Sequence, residues 1–392
     1  MDILQYKITR ETPTRLFEND LCYVHPRAGI VPGAGVGGGP RVVMTMTTHN
    51  VLACDEYKAV ISMETDDLGT TWSEPAACDT LAPRLEEYRG REVIVATSDL
   101  VPQWHVASGT LLNTGHSVMY PFEFGYPLNR AARWTTYSAY DPTLREWRPW
   151  RKLRMPENPL FTNCASGSTS RVDEPDGSIL LPVFAMPRGL VAKSVAFVAR
   201  CEFDGTTLHY VDRGNILEVA DRTRGFHEPS LARHGGEYFL TLRNDRRGYV
   251  SRSPDGLRFQ EPVPWVFDDG AELGNYETQQ RWVVHGDGLF LVYNRRGAKN
   301  DHVSRHRAPL FMAQIDTERL CVVRETEIAL VPDRGARLGN FGVTPIGPDE
   351  TWVTVAEWMQ PVGCERYGCD GTVWLTRIRW EKPNTESMRG SQ

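Results

Sequence analysis

No stretch of this 392-residue chain approaches the ~18 consecutive apolar residues that would cross a bilayer as a helix. The opening residues, MDILQYKITRETPTRLF, lack the basic start and apolar core of an export signal. A cytoplasmic setting is therefore expected, with no membrane partner. The eight cysteines (Cys22, Cys54, Cys78, Cys164, Cys201, Cys321, Cys364 and Cys369) contain no Cys-x-x-Cys pair. That argues against a zinc site and against a dense disulfide framework. No His/Asp cluster has ligand spacing, so neither metal nor cofactor is expected. An excess of basic charge is also missing: the net charge is −6, which gives no sign of a nucleic-acid partner. The glycine run Gly33–Gly39 lacks the Lys-Ser/Thr that completes a phosphate loop and leads into a strand rather than a helix. Segments with a helical period are nearly absent.

Aromatic residues, in contrast, make up 10% of the chain, with 11 tryptophans. Such richness suits β-sheet packing or stacking on sugars. A turn of small residues followed by alternating apolar residues recurs at 37–46, 113–122, 175–184, 234–243, 286–295 and 347–358. Gly39, Gly115, Gly177, Gly236, Gly288 and Asp349 mark these turns, at intervals of 52 to 76 residues. Each interval holds about four short strands, the content of one propeller blade. The expectation is an all-β, six-bladed β-propeller over residues 1–383 and a flexible tail at 384–392. Pairing of Tyr6–Ile8 with Val373–Trp380 would close the ring.

A second repeat follows each marker. Its clearest copy, Thr65-Asp66-Asp67-Leu68-Gly69-Thr70-Thr71-Trp72, has the Ser/Thr-x-Asp-x-Gly-x-Thr-Trp form of an Asp-box. Ser253-Pro254-Asp255-Gly256-Leu257-Arg258-Phe259 is a shortened copy, with echoes at Asp141, Asp204 and Asp316. The carboxylate caps turn N–H groups, glycine takes a positive φ, and the aromatic packs between sheets. These turns belong on the outer rim, away from any active site.

Six blades with Asp-boxes resemble the sialidase superfamily over nearly the whole chain. The resemblance implies an exo-acting glycoside hydrolase whose central pocket holds an oligosaccharide or glycoconjugate. Its three arginines match Arg27 in Tyr23-Val24-His25-Pro26-Arg27, Arg243 in Leu242-Arg243-Asn244, and Arg307 in His306-Arg307-Ala308-Pro309. Three guanidiniums converging from separate blades make sense around a carboxylate, which neutralises them and pairs with their planar forks. The family's acid/base aspartate matches Asp55, with Glu56 its nearest rival, and its blade-four glutamate matches Glu228. Glu357 matches a glutamate at the end of the last blade's strand. The family's nucleophilic tyrosine has no counterpart: Phe341 stands in its place. Tyr276 is the alternative nucleophile, with Glu228 or Glu277 as its base, since a phenol of pKa about 10 is a poor nucleophile unaided. Other readings are a carboxylate pair acting on a neutral sugar, as in arabinanase-like propellers, and a propeller that binds glycans without turnover.

The polar segment 297–307, following a strand, offers Asp301 and His302 as substrate contacts, and Gln280 lies just before the fifth hairpin. His105 beside Trp104 reads either as part of a sugar-stacking rim or as a structural histidine. Asn163–Ser168 either lines the pocket or forms a tight inner strand. Cys164 has no neighbouring base and reads as inert.

Overall fold

The computed structural model describes residues 2–53, 55–122, 127–128, 131–187 and 193–385; of the expected tail, 386–392 lie outside the described residues. The strands form six separate antiparallel sheets arranged as a six-bladed β-propeller. From the axis outward, blade one runs Leu21–Val31, Arg41–Asn50, Tyr57–Thr65 and Ala76–Ala77. Blade two is built on Arg91–His105, Thr110–Tyr120 and Thr135–Asp141. Blade three places Cys164–Ala165 and Val172–Asp173 against Ile179–Ala185, then Val195–Phe203 and Leu208–Arg213. Blade four comprises His227–His234, Glu237–Arg243, Tyr249–Ser253 and Val263–Pro264. Blade five comprises Arg281–His285, Gly288–Tyr293, Leu310–Asp316 and two short outer strands. Blade six runs Gly342–Gly347, Glu350–Ala356 and Thr372–Trp380, and its outermost strand is the N-terminal Tyr6–Arg15. The register Tyr6↔Trp380, Lys7↔Arg379, Ile8↔Ile378 is the expected closure. Sharing one sheet between the two ends of the chain leaves the ring without a seam.

The core is divided rather than central. One apolar cluster joins Val31, Val43 and Val60 of blade one to Val93, Leu111 and Trp147 of blade two. Comparable clusters fill the gaps between blades two and three, three and four, four and five, five and six, and six and one. Each blade is too thin to bury both faces alone, so the period-two pattern reads as apolar toward both neighbours. The axis is left to polar residues.

Five of the six marker turns fall between strands or at a strand's first residue. Gly115 does not: it lies inside Thr110–Tyr120. The hairpin turn of blade two is at Val106–Gly109, where Gly109 takes φ 60. Gly115 is required for a different reason, because a Cβ there would stand 2.5 Å from the Ser98 carbonyl oxygen. On the rim, Asp67 accepts from Thr71 N at 2.8 Å and Thr65 Oγ1 at 2.8 Å, and Gly69 has φ 82. Asp255 likewise accepts from Leu257 N at 2.9 Å and Arg258 N at 2.7 Å. Asp141, Asp204 and Asp316 each accept from two backbone N–H groups of their turns.

Candidate active site at the propeller axis

Each blade brings one polar residue with left-handed backbone toward the axis, within or beside its inner strand. These are His25 (φ 58), Asp99 (φ 54), Ser168 (φ 60), Glu228 (φ 41), Glu277 (φ 48) and Asn340 (φ 58). In blades one, two and four the residue sits in a bulge, between Val24 and Arg27, Ser98 and Val101, and His227 and Ser230. A bulge re-aims a side chain that would otherwise lie between the sheets. Left-handed backbone at residues other than glycine persists only where surrounding contacts enforce it, and it concentrates at functional sites.

The floor is a network centred on Asp99, which is 4% exposed. Its Oδ1 accepts from Arg27 Nη2 at 3.0 Å and Ser168 Oγ at 2.6 Å, while His25 and His116 each approach to 3.5 Å. Arg27 Nη2 also donates to Ser168 Oγ at 2.8 Å and Gln279 Oε1 at 3.4 Å, and Asn340 Nδ2 lies 2.8 Å from His25 Nε2. Burial works against charge on Asp99, but His25, Arg27 and His116 outweigh it and hold the carboxyl below its usual range. Burial lowers His25 to about 4 and His116 to about 3, with Arg133 adding to the latter, so both imidazoles are neutral at pH 7. Arg27 is thus already paired, and its guanidinium is spent on holding the blades together.

Beside this floor lies a less satisfied group. Arg243 Nη1 donates to Glu228 Oε1 at 2.5 Å, with both side chains nearly buried. Arg307 Nη2 donates to the Glu277 carbonyl. Arg243 Nε, Arg307 Nε and Glu228 Oε2 are buried without a hydrogen-bond partner among the described residues. Burial, together with Arg243 and Arg337, presses Arg307 well below the usual guanidinium range. Burial opposes the Glu228 charge, yet Arg243 keeps the carboxyl low. Arg281, one side-chain layer deeper than Gln279, reaches across the axis to Ser170 Oγ at 2.9 Å. Burial lowers it well below its usual value too. Four guanidiniums, Arg27, Arg243, Arg281 and Arg307, therefore face two buried carboxylates, Asp99 and Glu228. The excess is cationic, and such a site favours an anion.

Asp55 lies at the edge of this group with φ 57. Its Oδ1 accepts from Tyr57 Oη at 3.1 Å, and Tyr120 Oη donates to its carbonyl at 2.8 Å. Burial would raise its carboxyl, but Arg133, the Tyr57 hydroxyl and Arg337 bring the net below the usual range. Glu56, the rival, turns its carboxylate to Lys58.

The remaining expected residues are placed as follows. Tyr276 Oη lies 2.5 Å from His306 Nδ1, and no contact joins it to Glu228. Gln280 is buried, accepts from Thr241 Oγ1 at 2.8 Å and donates to the Thr278 carbonyl at 2.6 Å. Asp301 is at the surface and pairs with His306 Nε2 at 3.1 Å. His302 pairs with Asp333 at 3.1 Å and packs on Tyr367, tying its loop to blade six. Glu357 accepts from the backbone of Asp370 and Thr372 at 2.9 and 3.2 Å, and burial raises its carboxyl. The Phe341 side chain is in the core between blades five and six, while its carbonyl accepts from Gln279 Nε2 at 2.8 Å. His105 has both ring nitrogens engaged, by Ser108 Oγ at 2.7 Å and the Gly177 carbonyl at 2.9 Å, which is the structural reading. Asn163–Ser168 reaches the axis through Ser168. Burial pushes the Cys164 thiol up to about 12, so it is inert at neutral pH.

Sequence reasoning missed Asp99, His25, His116, Arg133, Arg281 and Asn340. For His25 and Asp99 the signal was a polar residue interrupting a largely apolar inner strand; the other four carried no such mark.

No family model matches the chain, and no curated protein matches it in sequence. Solved structures do match. A protein of unknown function from Dyadobacter fermentans superposes with TM-score 0.59 at 14% identity, over 95% of this chain and 99% of that one. The Hadza microbial sialidase Hz136 gives TM-score 0.60 at 10% identity, over 92% of this chain and 66% of the other. Trypanosoma rangeli sialidase in complex with the inhibitor DANA gives TM-score 0.59 at 12% identity, over 95% and 60%. The chain therefore spans about 60–66% of the length of these sialidases. At such identities the likeness establishes the sialidase-like propeller fold. No helix among the described residues is long and apolar enough to cross a membrane.

Proposed function

We propose that this chain is an exo-acting glycoside hydrolase that removes a terminal sugar carrying a carboxylate. The observation that carries the reading is the cationic excess at the axis, with Arg243 Nε and Arg307 Nε buried and unpaired beside Glu228. A sugar carboxylate supplies the acceptor both guanidiniums lack, and charge-assisted bonds of this kind are the strong ones. Arg27 contributes its charge and the rigidity of the floor. Asp55 is the acid/base. Arg133 and Arg337 hold it ionised in the free protein. An incoming carboxylate adds negative charge nearby and raises the Asp55 carboxyl, so substrate arms its own acid. Glu228 fixes Arg243 and is the second carboxylate of the site. The turns at 65–72 and 253–259 are Asp-boxes in this reading.

A second reading, cleavage of a neutral terminal sugar by Asp55 and Glu228, draws on the pairing of Arg27 with Asp99, which leaves two arginines rather than three for a substrate. The two readings part on a panel of aryl glycosides of sialic acid, uronic acid, arabinose and rhamnose. Release from an acidic donor that collapses in Asp55→Ala supports the first. Release from neutral donors alone supports the second. No release by the wild type from any donor rejects both and leaves a glycan-binding propeller.

A further inference from the structure

The hydroxyl of Tyr276 does not face a carboxylate; it meets an imidazole. Tyr276 lies in the segment entering blade five, and His306 in the loop leaving that blade's first hairpin. Their rings lie 5.7 Å apart, with Oη 2.5 Å from Nδ1. The other ring nitrogen, Nε2, is 3.1 Å from Asp301 Oδ1. In the tautomer with its hydrogen on Nε2, the ring donates to Asp301 and presents Nδ1 as the acceptor for the phenol. A nucleophile, a base in hydrogen-bond reach and a third group orienting the base are the ordered parts of an activated-nucleophile relay.

The relay adjoins the anion site through both of its members. Tyr276 precedes Glu277, and His306 precedes Arg307, whose Nη2 donates to the Glu277 carbonyl. Arg305 and His306 both hold left-handed backbone, at φ 57 and 52, so the imidazole is kept in place by an enforced turn. The carboxylates expected as bases are occupied: Glu228 Oε1 by Arg243 at 2.5 Å, and Glu277 Oε2 by Arg305 at 3.4 Å. The charged groups facing the pair are Arg296, 5.2 Å from the Tyr276 ring, with Glu277, Arg305, Arg307 and Asp301.

We infer that Tyr276 is the nucleophile and that His306, oriented by Asp301, takes its proton. The inference rests on the glycosidase reading above. In the first step Tyr276 Oη forms a bond to the anomeric carbon as the glycosidic C–O bond breaks. The Oη proton passes to His306 Nδ1, and the departing oxygen takes a proton from Asp55. In the second step water gives a proton to the Asp55 carboxylate and bonds to the anomeric carbon. The Tyr276–carbon bond breaks, and the proton on His306 returns to the phenolate. Asp301 acts only by positioning the ring.

The test uses a fluorinated acidic donor that slows the second step, followed by peptide mass spectrometry of the wild type. The sugar is expected on the peptide containing Tyr276. With an aryl acidic glycoside, His306→Ala is expected to lose about 10²–10⁴-fold in kcat with little change in KM. Free imidazole in the buffer restores part of that loss, which a purely structural role would not allow. His306→Asn, closer in shape, serves as the folded control and shows the same loss. Turnover with the label elsewhere, or loss that imidazole does not restore, overturns this inference and leaves the glycosidase reading intact. Absence of wild-type turnover overturns both.

Discussion

Replacing Asp99 by asparagine keeps the shape of the side chain and removes the charge on which the floor is organised. Asp99 is buried and lies 3.0 Å from Arg27, with Ser168 donating at 2.6 Å. Its partners come from blades one, three and six, so the change loosens contacts that cross the axis. Removing one member of a buried ion pair typically costs about 3–5 kcal/mol, because the surviving charge is stranded. Asparagine can still accept one bond, which puts the expected loss near 3 kcal/mol, a large share of the ~5–15 kcal/mol that usually separates folded from unfolded chains. The pH dependence has a definite sign. The Asp99 carboxyl is lower in the folded state than in the unfolded chain. Its stabilisation is therefore present above the ordinary carboxylate pKa of about 4 and lost as pH falls below it toward the folded value. Urea unfolding of wild type and Asp99→Asn should differ by about 3 kcal/mol at pH 7, and the gap should narrow at pH 3. In a double-mutant cycle, Arg27→Met and Asp99→Leu together should cost clearly less than the sum of the two singles. A loss below about 1 kcal/mol at pH 7, or additive singles, would refute the claim that this pair carries the floor.

Further outcomes follow from the same geometry. Arg307→Met should lower kcat/KM for an acidic aryl glycoside by about 10–100-fold, the worth of one charge-assisted bond, in steady-state assays. Arg133→Met withdraws a positive charge that holds the Asp55 carboxyl down, so its pKa rises and the alkaline limb of the kcat/KM profile, where the acid form is lost, moves to higher pH. Gly167→Ala would place a Cβ 1.9 Å from His116 Nδ1, and thermal unfolding should show a loss of about 1–3 kcal/mol from overpacking. Gly371→Ala combines φ 76 with a Cβ 2.1 Å from the Leu16 carbonyl oxygen and should destabilise the strand that closes the ring by at least that amount, by the same measurement.

The propeller was legible because its repeat is written in short-range signals. Gly177, Gly236 and Asp349 mark true hairpin turns, and Tyr6–Ile8 and Val373–Trp380 pair as their alternation suggests. Gly115 misled because a glycine needed for close packing against Ser98 looks the same in sequence as one needed for a turn. The site was less legible. Resemblance pointed to Asp55, Glu228, Arg243 and Arg307, yet it could not reveal that Asp99 engages Arg27, since that contact joins residues 72 apart through two bulges. His306 was passed over as one of two histidines in a polar loop, and its meeting with Tyr276 depends on the consecutive left-handed residues Arg305 and His306. No local pattern announces such backbone outside glycine and asparagine.

Recognition of a carboxylate at the axis is open to direct measurement. The most direct measurement compares kcat/KM for one aryl glycoside bearing a free carboxylate with that for its methyl ester, which keeps the shape and removes the charge. A preference of at least about 100-fold for the free acid, falling toward unity in Arg307→Met, is expected. Equal rates for acid and ester, or a preference untouched by Arg307→Met, would contradict it.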